Sequence, residues 1–262
     1  AYGKLAGREM GYGSDLDIVF LHQGVAEGHE TSGPLVIDNS TFFVRLGQKI
    51  VQLLTTLSRS GRLYEVDTRL RPSGRSGLLM TSLSSFEHYQ RHEAWTWEHQ
   101  ALLHARAVAG DIDVQQQFER CRLSILTDAV NREQLRDNVT HMRSRMQKEL
   151  SRAQEGEFDM KQDPGGVIDI EFIAQYLVLR EAKRYPPLLT FSDTIRQLES
   201  LGSIGLLSQV DVDHLVLAYR QYRKARHHRS LESKSDVLNE VPWQEIRRGV
   251  QDIWARVFDE SV

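Results

Sequence analysis

Asp15 and Asp17 lie one residue apart in the run Gly13-Ser14-Asp15-Leu16-Asp17-Ile18-Val19-Phe20-Leu21, just after a small, turn-forming Gly-Ser pair. The alternation predicts a strand over residues 15–21, with both carboxylates on one face and Leu16, Ile18 and Phe20 turned into a core. Two ionised carboxylates side by side on a strand are costly to bury unless a cation neutralises them. A second charged strand is expected over residues 63–71: Glu65, Asp67, Arg69 and Arg71 share one face, and Tyr64, Val66, Thr68 and Leu70 the other. If the two strands are neighbours, Asp15, Asp17 and Asp67 form a cluster of hard oxygen donors of the kind magnesium takes. Two such ions can clamp the attacking and leaving oxygens of an in-line phosphoryl or nucleotidyl displacement. The plainer alternative is that Asp15 caps a turn and Asp17 pairs with a lysine or arginine at a strand end.

Those residues need a frame, and the chain is long enough to supply one. Its 262 residues, 40% hydrophobic and 26% charged, fit one large or two modest globular domains. A glycine-rich opening (Gly3, Gly7, Gly11) surrounds a short helical piece at 5–10, and a polar loop at 22–34 is a candidate for substrate contact or a flap. Apolar spacing predicts a helix over 39–58 and another over 84–107, with Trp95 and Trp97 expected in the core. Further helices are expected over 111–127, 132–153, 168–183, 192–201, 209–230 and 242–258, with a break at Pro164-Gly165-Gly166 and a stop at Pro186-Pro187. The reading is therefore α+β: a mixed-sheet domain at 1–110, then an all-helical bundle domain at 111–262.

Composition excludes several functions. A formal charge of -3 provides no global field for nucleic acid. No apolar run is long enough for a membrane span. One cysteine, Cys121, rules out an internal disulfide and any multi-cysteine zinc site, which suits a cytoplasmic protein. The chain opens on Ala1 directly in motif-like sequence, so it reads as a piece of a longer protein whose upstream residues include the first strand of the fold.

Gly13-Ser14-Asp15-Leu16-Asp17-Ile18, with Gly3-Lys4 upstream, resembles the signature of the DNA polymerase β-like nucleotidyltransferase superfamily. Three later segments narrow the resemblance: Tyr64-Glu65-Val66-Asp67-Thr68-Arg69-Leu70-Arg71-Pro72-Ser73-Gly74, Glu93-Ala94-Trp95-Thr96-Trp97-Glu98-His99-Gln100-Ala101-Leu102, and Gly165-Gly166-Val167-Ile168-Asp169-Ile170-Glu171-Phe172. In that order they look like the glutamine synthetase adenylyltransferase family, and the likeness runs the length of the chain. Ala6 stands where the family usually has glycine.

That family is bifunctional, and the Trp-Thr-Trp-Glu-His-Gln block, the Arg-Pro-Ser-Gly turn and the Asp-Ile-Glu-Phe ending resemble its C-terminal, adenylylating copy. The resemblance implies transfer of AMP from ATP to a tyrosine hydroxyl of glutamine synthetase, with release of pyrophosphate. Asp15, Asp17 and Asp67 would be catalytic and would hold two Mg2+ ions, and Asp67 would help deprotonate the tyrosine. Gly3, Lys4, Gly13 and Ser14 would bind the nucleotide, and Arg69 and Arg71 would meet charge on the pyrophosphate, unless they pair with Glu65 or a helix carboxylate instead. Glu98, Asp169 and Glu171 are further candidates: Glu98 as partner of an active-site arginine, the other two reaching the nucleotide from the helical domain. Their simpler explanation is that carboxylates in a first helical turn favour the positive helix end. The PII signal protein and glutamine are the effectors the family implies. Two alternatives remain at this point, the deadenylylating module of the same family and a catalytically silent nucleotide-sensing domain. His227 and His228 are adjacent on a helix and point too far apart to share a metal. The basic run Arg220, Arg223, Lys224, Arg226 and Arg229 reads as a solvated helix face.

Overall fold

The computed structural model describes residues 1–24, 29–59, 61–62 and 64–259. Its contacts divide the chain into two units, Ala1–Ala129 and Val130–Val262.

The first unit carries α1 (Gly3–Ala6), β1 (Leu16–Asp17), β2 (Phe20–His22), α2 (Asn39–Leu54), β3 (Leu57–Ser58), β4 (Gly61–Arg62), β5 (Val66–Asp67), β6 (Met80–Ser82), α3 (Leu83–His92), α4 (Thr96–Leu103) and α5 (Ile112–Asp128). The run expected as one strand over 15–21 is split. β1 pairs in parallel with β5, and β2 pairs in parallel with β6. A change of partner within seven residues, between the last β5 bond at Ile18 and the start of β2 at Phe20, splits the run, which neither alternation nor composition reveals. Leu63 lies outside the described residues, and among the described residues of the strand expected at 63–71 only β5 is regular, because the chain turns immediately after Asp67. Helix α2 opens on Asp38, whose carboxylate accepts from the Thr41 N–H, and ends at Leu54 rather than near 58, because a short β3–β4 hairpin takes over. Part of the polar loop at 22–34 lies outside the described residues.

The single helix expected over 84–107 is two. α3 stops at His92 and α4 starts at Thr96. This break reverses the expected burial: Trp95 is 72% exposed and Trp97 41%, whereas Glu98, His99, Gln100, Leu102 and Leu103 face inward. Helix α5 begins at an Asp111 cap and packs against α3 and α4, with Phe118, Ile125 and Leu126 buried. It therefore belongs with the first unit, so the boundary falls at 129/130 and not at 110/111.

The second unit holds α6 (Leu135–Leu150), β7 (Glu157–Asp159), α7 (Val167–Glu181), α8 (Thr194–Ser203), α9 (Gln209–Leu231), β8 (Val237–Asn239) and α10 (Gln244–Phe258). α7 is apolar nearly all round and is surrounded by α6, α8, α9 and α10. The unit is not all-helical: β7 and β8 pair antiparallel, with Phe158 opposite Leu238 and fully buried. Three-residue strands are too short to leave a periodic trace. Part of the basic run on α9 is tied down rather than solvated, since Arg226 pairs with Asp236 at 2.9 Å and Arg229 donates to the Val237 carbonyl at 2.7 Å. Among the described residues, no helix is long and apolar enough to cross a membrane.

Candidate active site

The parallel register of β1 and β5 places Leu16 opposite Val66 and Asp17 opposite Asp67. The ladder continues outward through the Leu16 N–H to the Glu65 carbonyl at 2.8 Å and the Ile18 N–H to the Asp67 carbonyl at 2.9 Å. Asp15 enters just before β1. One carboxylate oxygen from each of Asp15, Asp17 and Asp67 lies within 4.8 Å of the other two.

Two small elements pack around this cluster. The turn before β1 is closed by Ser14, whose N–H donates to the Gly11 carbonyl at 3.1 Å and whose Oγ accepts from the Gly11 N–H at 2.9 Å. Helix α1 lies against β1, with the Tyr2 N–H donating to the Asp17 carbonyl at 2.9 Å. Gly3 has φ +53, a conformation that favours glycine, and a Cβ there would sit 2.9 Å from Asp17 Oδ2, so a side chain at this position would displace the Asp17 carboxylate. Ala6 is fully buried, and its carbonyl accepts from Arg106 Nε at 3.1 Å, which ties α1 to a residue a hundred positions away. Separation of that size leaves no local signal for Arg106 in the sequence.

Electrostatics set the three acids apart. Burial, then Asp15 and Asp67, push the half-buried Asp17 carboxyl from 3.8 up to about 6, against the opposing pull of Lys4 and Arg69. Asp67 is held below its usual range, chiefly by hydrogen bonding from Arg69. Its Oδ1 accepts from the Arg69 backbone N–H at 2.8 Å and its Oδ2 from Arg69 Nε at 2.6 Å, with a second guanidinium nitrogen in salt-bridge contact.

Arg71 is placed differently from Arg69. Its Nε donates to the Gly77 carbonyl at 3.1 Å, one terminal nitrogen to the Thr68 carbonyl at 2.8 Å and to Thr68 Oγ1 at 2.9 Å, and the other to the Arg75 carbonyl at 3.2 Å. All three guanidinium nitrogens are thus spent on the turn that follows Asp67. The expected shared strand face for Arg69 and Arg71 is not formed, and Arg71 organises the turn instead. That turn is tight: Ser73 adopts φ +59, and a Cβ on Gly77 would lie 1.9 Å from the Pro72 carbonyl oxygen.

The remaining candidates have partners within their own units. Buried Glu98 accepts from Tyr89 Oη at 2.9 Å and from the Trp95 N–H at 2.9 Å, fixing the start of α4. Asp169, buried on α7, forms an ion pair with Arg143 of α6 and accepts from the Gly165 N–H at 2.6 Å. Burial pushes its carboxyl up, while Arg143 and the Gly165 amide pull it down. Glu171, one turn beyond the helix start, accepts from Tyr219 Oη at 3.2 Å. The Pro164-Gly165 turn is gripped from α9 and α10: Tyr222 donates to the Gly165 carbonyl at 3.0 Å and Arg247 Nε to the Pro164 carbonyl at 2.8 Å.

Three carboxylates converging from a parallel strand pair, one of them destabilised by its neighbours, make this an α+β unit with a candidate divalent-cation centre. Its donor set is all hard oxygen and fits Mg2+. Comparison with known proteins places it further. Residues 1–121 match the family model for glutamate-ammonia ligase adenylyltransferase, and residues 133–244 match that for GlnD PII-uridylyltransferase, so the unit boundary falls between the two matches. Over 260 residues, 99% of this chain, the sequence is 49% identical to the bifunctional glutamine synthetase adenylyltransferase/adenylyl-removing enzyme of Thioalkalivibrio sulfidiphilus. Proteins of the same name from Hahella chejuensis and Pseudomonas aeruginosa are 48% and 47% identical over 99% and 97% of this chain. The chain belongs to this glutamate-ammonia ligase adenylyltransferase family. It spans 27% of the length of each of those relatives.

Proposed function

We propose that this chain is the adenylylating module of a glutamine synthetase adenylyltransferase, built as a polymerase β-like nucleotidyltransferase domain followed by a helical domain. The observation that carries the reading is the Asp17–Asp67 register, which gathers Asp15, Asp17 and Asp67 within reach of one cation. The reaction joins the α-phosphorus of ATP to a tyrosine oxygen of glutamine synthetase; the bond to the bridging oxygen breaks, pyrophosphate leaves, and the hydroxyl proton is released.

Asp15, Asp17 and Asp67 would hold Mg2+, two ions in all. When bound, the metal supplies charge neutralisation on the triphosphate and acidifies the attacking hydroxyl, which matters because a tyrosine of pKa about 10 is mostly protonated near neutral pH. Asp67 faces the nucleophile and orients its hydroxyl. The Gly13 amide, in the turn that Ser14 closes onto Gly11, and the Gly3-Lys4 segment with its one ammonium would meet phosphate oxygens. Arg69 meets charge on the departing pyrophosphate. Arg71 positions the turn after Asp67, which keeps that carboxylate in register. The PII-uridylyltransferase match over 133–244 supports the PII signal protein as an effector of the whole enzyme, with glutamine as the second. A cytoplasmic location accords with these partners.

The relatives' shared name joins adenylylation to its reversal, so the direction is what needs testing. The chain is incubated with labelled ATP, Mg2+ and unmodified glutamine synthetase, and separately with phosphate and the adenylylated enzyme. Label on glutamine synthetase in the first arm is expected. ADP formed only in the second arm would assign the adenylyl-removing role instead. Nucleotide binding with turnover in neither arm would make the chain a sensing domain.

A further inference from the structure

Asp67 is the member of the cluster that already carries a cation. Arg69 engages both of its oxygens, through the backbone N–H on Oδ1 and the guanidinium on Oδ2. The guanidinium therefore occupies coordination space on a carboxylate whose neighbours, Asp15 and Asp17, offer oxygens within 4.8 Å. The two partners differ in exposure: the Arg69 side chain is 62% exposed and that of Asp67 14%. Arg69 can swing to solvent without disturbing packing, while Asp67 stays on β5. The turn stays too, because Arg71 holds it through Thr68, Arg75 and Gly77.

We propose that Arg69 is a resident counter-cation, exchanged for the divalent metal when the site loads, and that the released guanidinium then becomes available to an anionic triphosphate. This rests on the reading of Asp67 as a metal ligand. Two consequences follow. Metal alone binds more weakly than the three carboxylates would allow, since the Asp67–Arg69 pair must first part. Metal and triphosphate bind with positive coupling, since the nucleotide gives Arg69 a new anionic partner and the effect is reciprocal.

The test measures Mn2+ binding to the 262-residue chain by the loss of its free-ion resonance signal, with and without a non-hydrolysable ATP analogue. Arg69→Met should bind Mn2+ alone roughly two- to fivefold more tightly than wild type, the range expected for removing a largely exposed ion pair. The same variant should lose the part of the enhancement that Arg69 supplies, while the direct contact between the analogue's phosphates and the metal remains. Arg69→Lys, which keeps the charge but not the forked geometry, should fall between the two. Equal or weaker Mn2+ binding by Arg69→Met would overturn the exchange. Asp67→Asn and Asp17→Asn separate the layers. If both abolish Mn2+ binding while Arg69→Met does not tighten it, the metal site stands and the exchange fails. If neither alters Mn2+ binding, the metal assignment fails and the exchange with it.

Discussion

At Asp17 the proposed site trades stability for function, and Asp17→Asn makes that trade measurable. The Asp17 carboxyl is pushed from 3.8 up to about 6 by burial and by the charges of Asp15 and Asp67. The folded state then holds this proton more tightly than the unfolded chain does. Stability therefore falls as pH rises from about 4 to about 6, and above that window the penalty is complete. A shift of this size, fully expressed, is worth about 3 kcal/mol. Asp17 is only half-buried, so water screens the repulsion and about 1 kcal/mol is the expected share. Asp17→Asn removes the charge and keeps the shape. In the absence of divalent metal the variant should be more stable than wild type by about 1 kcal/mol at pH 8, and the difference should shrink towards pH 4.

Magnesium should reverse the order. Wild type gains stability with metal concentration, by about 2.7 kcal/mol at a hundred times the dissociation constant, and the variant gains little. Urea denaturation followed by circular dichroism at pH 4.5 and pH 8, with and without Mg2+, measures all four corners. AMP transfer by the variant should be lost throughout. A variant less stable than wild type at pH 8 without metal would refute the like-charge account, and one that Mg2+ stabilises as much as wild type would refute Asp17 as a ligand.

Gly77→Ala places a Cβ 1.9 Å from the Pro72 carbonyl oxygen, so the turn after Asp67 must move; a loss of about 1–3 kcal/mol in urea denaturation and a fall in transfer activity are expected. Arg143→Met leaves Asp169 as a buried, unpaired carboxylate and should cost about 3–5 kcal/mol, read as a lower denaturation midpoint. Cys121 is buried, and burial pushes its thiol up to about 11, so it should resist a thiol-reactive dye at pH 8 until the protein is unfolded.

What could be read from the sequence was what short spacing controls. Asp15 and Asp17 were placed by a two-residue repeat, α2 by an apolar stripe several turns long, α7 by a strongly apolar run between a Pro-Gly-Gly break and a Pro-Pro stop, and α5, α6, α8, α9 and α10 by their length between turn and cap signals. The failures share a cause. The split between β1 and β2, the turn directly after Asp67 and the β7–β8 pair are set by partners distant in sequence, and two- or three-residue strands are too short to record them. Trp95 and Trp97 misled because a helix break rotated them outward while Glu98, His99 and Gln100 took the buried positions. Arg71 looked identical in kind to Arg69, and only the carbonyls of Thr68, Arg75 and Gly77 around it distinguish a turn-builder from an exposed charge paired with Asp67.

The same contrast separates the two acidic motifs. Asp169 and Asp17 both suffer burial, and both belong to segments that carry the family resemblance. Asp169 answers burial with opposite charge and an amide: Arg143 on one oxygen, the Gly165 N–H on the other. A carboxylate so enclosed is a structural cross-link between α6 and the start of α7, and its oxygens have little left to offer a ligand. Asp17 is surrounded instead by Asp15 and Asp67, charges of its own sign, with Lys4 and Arg69 only partly offsetting them. A fold has no stability reason to assemble three carboxylates in that way. Arg69 offsets Asp67, and a proton taken up by Asp17 near pH 6 relieves the rest; a bound cation would relieve it at neutral pH, so the excess negative charge, more than the Asp-x-Asp spacing, is the physical argument for the proposal that this end of β1 and β5 takes a metal.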